Sequence, residues 1–269
     1  MSASVSVRPR WQNVARAVGW VTLLEIVRDK VLYNIIVFAL LLFFLGFLGS
    51  TMTYNAPQRI IMDFGISSVM LSSAMIAILT GAGLLGREFE RRTIYVALSR
   101  PITRAQFVFG KFLGLAGVLS INWLLLTAVF AWILVTVGNG FQELLHPTLF
   151  AGLCLILLQS FVLASLAIFF ASFSTTSLAV TFTFGLFLIG NNISELRALA
   201  VKSGLGGAQS VLNFLAAVLP NFEHFNLGTK ISYDLPVSWQ FFAGSSGYAF
   251  LLIAFFLSLA GVLIRAREV

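Results

Sequence analysis

Charged residues are scarce in this chain. They make up 10% of its 269 residues, whereas 59% are hydrophobic and the mean hydropathy is +0.96. A soluble domain carries about 25% charged residues, so the composition excludes a soluble globular domain and predicts an integral membrane protein. Cysteine is almost absent. The single Cys154 lies in an apolar run, so no disulfide can form within the chain, and we interpret it as a small core residue.

The chain also lacks the residues of an energy source. It has no phosphate-binding loop of the G-x-x-x-x-G-K-[ST] type. No Asp, Glu, Lys, Arg or His lies near the middle of a long apolar run, where ion-coupled carriers usually place such groups. If the protein moves a solute uphill, a partner must therefore drive the movement.

Long apolar runs are abundant. About 18 to 25 apolar residues cross a bilayer as a helix, and six runs are long enough to qualify, some of them marginally. They lie at about residues 31–48, 64–85, 112–137, 147–171, 177–193 and 241–264. These runs predict an all-α integral membrane protein with six transmembrane helices, which form a single transmembrane domain over residues 1–269.

The positions of Lys and Arg predict the orientation. With the N-terminus in the cytoplasm, 13 of the 17 basic residues fall on the cytoplasmic side. The positive-inside rule favours this arrangement, which also returns the C-terminus to the cytoplasm. The rule explains the net charge of +7, so nucleic-acid binding is the less favoured interpretation of the charge.

Residues 11–30 are predicted to form an amphipathic helix in the cytoplasmic interface. Its apolar residues recur at roughly helical spacing, and its tryptophans are suited to the membrane surface. The apolar positions are Trp11, Val14, Val18, Val21 and Ile26. A cytoplasmic extension of the first span is the alternative.

Two other segments are predicted to lie outside the bilayer core. Residues 172–176 predict a cytoplasmic turn whose hydroxyls can bind the carbonyls and amides of helix ends. Residues 194–243 predict an extracytoplasmic segment with short helices at about 195–201 and 209–219. These helices either lie in the outer interface or dip back into the membrane, buried against protein.

One dense block of charge, residues 87–106, lies between the second and third spans. Because charge is costly in hydrocarbon, the block must lie at a membrane surface. Its first half has helical character, Pro101 breaks that helix, and Thr103 is predicted to cap the third span. A loop that only obeys the positive-inside rule does not need Glu88 and Glu90. We therefore interpret the block as a docking surface, with a solvated loop as the alternative.

Two acidic/His pairs are weak candidates for a metal site. Glu143 and His146 are three residues apart, and Glu223 precedes His224, with both pairs predicted on the extracytoplasmic side. A Glu-x-x-His pair can place two ligands on one helix face. Such short matches are common by chance, so no metal site is predicted and interfacial polar residues are the favoured interpretation.

The charged block has a recognisable order of residues. It reads Glu88-x-Glu90-x-x-Thr93, then Leu98-x-x-Pro101-Ile102-Thr103-Arg104, and ends in Gly110-Lys111. This order resembles the charged loop of the ABC-2 type permeases, whose fold is also called the type V exporter fold. The layout of surface helix, six spans and helical segment between spans five and six is similar too. The length and simple outside loops resemble most closely the permease of nitrous-oxide-reductase copper maturation.

The resemblance implies a membrane subunit of an ATP-driven exporter in the bacterial cytoplasmic membrane. Two copies would form the membrane unit and bind two copies of a separate ATPase, which would hold ATP and Mg. The chain itself would therefore not be an enzyme. The implied ATPase-coupling residues are Glu88, Glu90, Arg91, Arg92, Thr93, Pro101 and Arg104. A second cytoplasmic contact would involve Ser172, Ser174 and Thr175.

Two other functions stay open at this point. A membrane scaffold could pass ATPase motion to an extracytoplasmic partner without moving a solute. An intramembrane metalloenzyme could use the two acidic/His pairs. The sequence does not indicate a substrate, because the predicted path carries no diagnostic charge.

Overall fold

The described part of the chain is built from helices. A computed structural model describes residues 11–51, 57–90, 103–137, 147–202, 219–232 and 235–266, and no strand occurs within these ranges. The elements are α1 (Trp11–Val27), α2 (Lys30–Thr51), α3 (Pro57–Glu90), α4 (Arg104–Val137), α5 (Pro147–Ala171), α6 (Thr176–Asn191), α7 (Ile193–Lys202), a 3-10 helix (Phe222–Phe225), α8 (Gly228–Ser232) and α9 (Trp239–Ala266).

Five of these helices are long and apolar enough to cross a membrane: α2, α3, α4, α5 and α9. α6 qualifies only together with α7, from which it is bent by 68°. The prediction of an all-helical membrane protein is therefore confirmed for the described residues. The sixth span depends on whether the bent pair counts as one crossing.

The interior of the bundle lies along α3 and α5, which pack against each other and are mostly buried. α2, α4 and α6 pack on α3, whereas α4, α6 and α9 pack on α5. Small residues allow the central pair to approach closely, because a Cβ at Gly81 would lie 3.0 Å from the Cβ of Ala167. In lipid, such close contact replaces the hydrophobic effect as the force between helices.

α1 is a helix separate from α2. The helix is interrupted at Arg28 and Asp29. There the Asp29 carboxylate accepts a hydrogen bond of 3.1 Å from the amide of Val31. This carboxylate satisfies a free amide at the start of α2, as an N-cap residue does. The break contradicts the alternative that residues 11–30 simply extend the first span.

The face of α1 that contacts protein differs from the expected apolar stripe. α1 packs mainly on α4, and its buried residues are Ala15, Gly19, Thr22 and Ile26. Val21, which was expected on the apolar face, is 65% exposed. The contact is built from small residues because the two backbones approach closely, and apolar spacing alone does not show this.

Residues 219–232 fold back against the bundle. Phe222, Phe225 and Leu227 are almost fully buried, and the 3-10 helix packs on α5 and α6. The Asn221 side chain caps the 3-10 helix, because its oxygen accepts a hydrogen bond of 3.0 Å from the amide of Glu223. Part of the segment 194–243 is thus buried against protein, whereas α7, one of the helices for which such burial was considered, is mostly exposed.

α7 agrees with the first of the two short helices predicted before the sixth span. Residues 209–218 of the second predicted helix lie outside the described residues.

Candidate functional site

Several helix ends meet at the predicted cytoplasmic end of the bundle. α3 ends there, α4 begins there, and the turn between α5 and α6 lies beside them. The described ends of the block predicted to couple to an ATPase, residues 87–90 and 103–106, lie here. Glu88 and Arg104 are described, and Glu90 is the last residue of α3. The remaining coupling residues, Arg91, Arg92, Thr93 and Pro101, lie outside the described residues.

Glu88 belongs to a three-residue charge cluster. Its Oε1 lies 2.7 Å from the Nζ of Lys111, which is also 3.3 Å from the Oε2 of Glu25. The Lys111 side chain is 7% exposed, against 22% for Glu88 and 54% for Glu25. A buried ammonium group is costly unless it is paired, and here two carboxylates from different helices pair with it. The cluster therefore joins α1, α3 and α4.

Glycines bring α1 and α4 into backbone contact beside this cluster. A Cβ at Gly110 would lie 2.7 Å from the Cβ of Val18, and a Cβ at Gly114 would lie 2.6 Å from the carbonyl oxygen of Gly19. The small-xxx-small pattern that begins at Gly110 thus serves packing within one subunit. It holds α1 directly against the first turns of α4.

The start of α4 is fixed by a reciprocal cap. The Thr103 amide donates to the Gln106 side-chain oxygen at 2.9 Å, and the Gln106 amide donates to the Thr103 hydroxyl at 3.3 Å. This arrangement is a capping box, and it confirms Thr103 as the predicted cap. The next residue, Arg104, donates from Nη1 to the backbone carbonyl of Ile264. Arg104 therefore ties the start of α4 to the end of α9.

The predicted second contact, residues 172–176, lies beside the end of α3. A Cβ at Gly86 would lie 3.1 Å from the Cα of Thr176, so the two backbones nearly touch there. The hydroxyls of Ser172 and Ser174 donate at 2.7 Å to carbonyls at the end of α5, as expected for helix-end oxygens. Ser172 is buried, whereas Thr175 is exposed.

Comparison with known families identifies the chain. The profile described as "ABC-2 family transporter protein" matches residues 17–264. The chain belongs to the ABC-2 family. Comparison with curated protein sequences gave no match. As an ABC-2 permease, the chain is the membrane component of an ABC transporter and an integral membrane protein, and such permeases typically work with an ABC ATPase.

Among the residues that the structure describes, no group of three His, Cys, Asp or Glu side chains is placed to hold a metal ion. Glu143 and His146 lie outside those residues. The Glu223 carboxylate accepts a hydrogen bond from the amide of Ser194, near the start of α7, which is a structural contact. His224 is exposed, and its ring centroid lies 6.1 Å from that of Tyr248.

Two polar side chains in the spans of the permease connect helices, whereas the hydroxyls of Ser160 and Ser165 bond carbonyls of their own helix. Asn122 on α4 donates to the hydroxyls of Ser72 and Ser73 on α3, both at 3.4 Å. Gln159 on α5 donates to the side-chain oxygen of Asn191 at the end of α6, at 3.2 Å. Asn122 and Gln159 thus form interhelical hydrogen bonds, as polar side chains in membrane helices commonly do.

Lys111 ends the charged motif in the sequence, but nothing in the motif connects it with Glu25. The two residues are 86 positions apart, so no periodicity within one helix relates them. The available signal was a lysine at the start of an apolar run, flanked by Gly110 and Gly114. Glycines on both sides of a lysine indicate that another helix lies close to that charge.

Proposed function

We propose that this chain is the membrane-spanning subunit of an ATP-driven exporter, energised by a separate ATPase that binds ATP and Mg. One observation carries the proposal. The two segments expected to contact the ATPase, the end of α3 and the turn at 172–176, lie side by side where Gly86 meets Thr176. Segments 90 positions apart in the chain thus lie side by side, which supports docking of both to a single partner.

The remaining features of the proposal follow from the family and from charge. The permease would act as a homodimer with six spans per copy, counting α6 and α7 as one, in the bacterial cytoplasmic membrane. The excess of Lys and Arg on one side supports cytoplasmic termini. The chain itself would hydrolyse no ATP. The family match does not distinguish subgroups, so the resemblance to the nitrous-oxide-reductase maturation permease stays a prediction.

Purification of the tagged chain in mild detergent tests the docking surface. A stand-alone ATPase is expected to co-purify with the wild-type chain. Replacing Arg91 and Arg92 by Glu should remove it, because the reversed charges repel the groups that the arginines contact. Mass spectrometry of the eluate measures the ratio of ATPase to permease. This pair of substitutions leaves the Glu88–Lys111 contact intact.

The matched control is Arg197→Glu. Arg197 is exposed on α7, at the predicted extracytoplasmic end, so its reversal should leave the ATPase bound. Full ATPase recovery with the Arg91/Arg92 variant would remove the docking claim. An intact permease that brings down no ATPase in any form would contradict the proposed function. Assays of solute flux and ATP hydrolysis in vesicles distinguish an exporter from a scaffold. A scaffold would show stimulation of ATP hydrolysis by a partner protein and no solute flux.

A further inference from the structure

Lys111 occupies a position that packing alone does not require. It lies on α4 about two turns beyond the helix start, one residue before the predicted third span, and it is 5% exposed. An apolar residue of similar length would fill this space without the cost of burying an ammonium group. The charge therefore needs an explanation beyond filling the bundle.

The partners of Lys111 come from both sides of α4. Glu25 lies near the end of α1, and Glu88 lies two residues before the end of α3. Lys111 thus links α1 to the end of α3, where the charged block of residues 87–106 begins. The Phe107 ring, one turn earlier on α4, lies 5.8 Å from the Nζ and closes the cluster on a further side.

The backbone contacts make this link mechanically stiff. α1 and α4 touch through Gly19, Gly110 and Gly114 with no side chains between them. Two helices in backbone contact cannot slide past one another without clashes. A tightly packed interface allows only a few separate arrangements and does not deform continuously between them. The glycines do not contact α3. Elsewhere α4 packs directly on α3, and near the end of α3 the Glu88–Lys111 contact joins the two helices.

We propose that Lys111 is a positioning residue that makes α1 and the end of α3 move as one unit with α4. This inference rests on the proposed function, because it states how motion of a docked ATPase reaches α1. Glu88 then acts as an internal anchor of the docking block rather than as a group that touches the ATPase. When the docking block moves, the Glu88–Lys111 ion pair transmits the displacement to α4, and the Lys111–Glu25 ion pair transmits it to α1.

The test uses the complex of permease and co-purified ATPase in proteoliposomes. Lys111→Met keeps the length of the side chain and removes its charge, whereas Lys111→Arg keeps the charge. We expect Lys111→Met to bind the ATPase normally and to leave its KM for ATP unchanged. Its kcat for permease-dependent ATP hydrolysis should fall about tenfold or more, within the usual range of coupling between two sites. Lys111→Arg should restore most of that rate.

A second variant keeps the inference falsifiable if Lys111→Met does not fold. Glu88→Gln with Lys111→Met removes both charges and leaves no buried carboxylate facing an apolar residue. It should insert, bind the ATPase and show the same low kcat as Lys111→Met. Glu25→Gln should have a smaller effect, because Glu25 is more exposed and lies farther from the Nζ.

The outcomes separate the inference from the proposed function. If the ATPase binds and the double variant hydrolyses ATP at the wild-type rate, the inference is wrong and the proposed function stands. A loss that Lys111→Arg does not restore would also overturn the inference, because charge would then not be the property that matters. If no ATPase binds the wild-type chain, both fail.

Discussion

Gly114→Ala is expected to destabilise the permease by about 1–3 kcal/mol, because it overpacks the contact between α1 and α4. The new Cβ would lie 2.6 Å from the carbonyl oxygen of Gly19 and 2.6 Å from the Cβ of Thr22. Neither atom is the flexible end of a side chain, so the two backbones must separate. Alanine's advantage in helix propensity, about 1 kcal/mol, offsets only part of this cost. Thermal unfolding in detergent measures the change.

Two other glycine substitutions provide a graded control. In Gly117→Ala the new Cβ would meet the Cδ1 of Leu23 at 2.8 Å, and this side-chain end can rotate away. In Gly261→Ala it would meet nothing within 4 Å. The loss of stability should therefore decrease in the order Gly114, Gly117, Gly261. Equal effects at all three positions would show that helix propensity, rather than contact between α1 and α4, decides the result.

Phe222→Ala should cost roughly 3 kcal/mol of unfolding free energy. This value is at the lower end for a buried phenylalanine, because the reference environment in a bilayer is partly lipid. Phe222 is 0% exposed, and its ring reaches Gly190 at the end of α6, where a Cβ would lie 2.4 Å from the ring. The truncation leaves a cavity at a site with no side chain opposite to fill it. Unfolding in detergent measures this loss.

Phe250→Ala is the matched control for Phe222→Ala. Phe250 lies on α9 and is 63% exposed, so its truncation opens no cavity in the described bundle. It should change stability by much less than the truncation at Phe222. If the two variants unfold alike, the burial of residues 219–232 against α5 and α6 is not what stabilises this end of the permease.

The spans could be predicted because hydropathy is a local property. A run of apolar residues needs no knowledge of its neighbours to be recognised as a membrane helix. The fourth span, 147–171, agrees at both ends with α5, and Thr103 was correctly identified as a cap. The helices α3 and α4 each extend beyond the predicted apolar runs, because polar helix at their ends continues outside the bilayer core.

The packing between segments could not be predicted in this way. The buried face of α1 consists of small residues such as Ala15 and Gly19, which hydropathy does not distinguish from a lipid-facing surface. The contact of Lys111 with Glu25 and Glu88 joins three helices that no sequence periodicity relates. Such contacts depend on which helices become neighbours, and this is decided by complementary shape over the whole bundle.

The shortness of α6 has a consequence for the lipid around the permease. With 16 residues, this helix is about 24 Å long, less than the roughly 30 Å of a typical hydrocarbon core. If α6 crosses the bilayer without the bent α7, the bilayer must thin beside it, whereas the longer α3 and α4 impose no such demand. Thinning costs a fraction of a kcal/mol per Å, and two short helices that meet share a single deformed patch. In the proposed homodimer, the elasticity of the membrane would then favour contact between the two copies along the α6 face, and thicker bilayers would strengthen that preference.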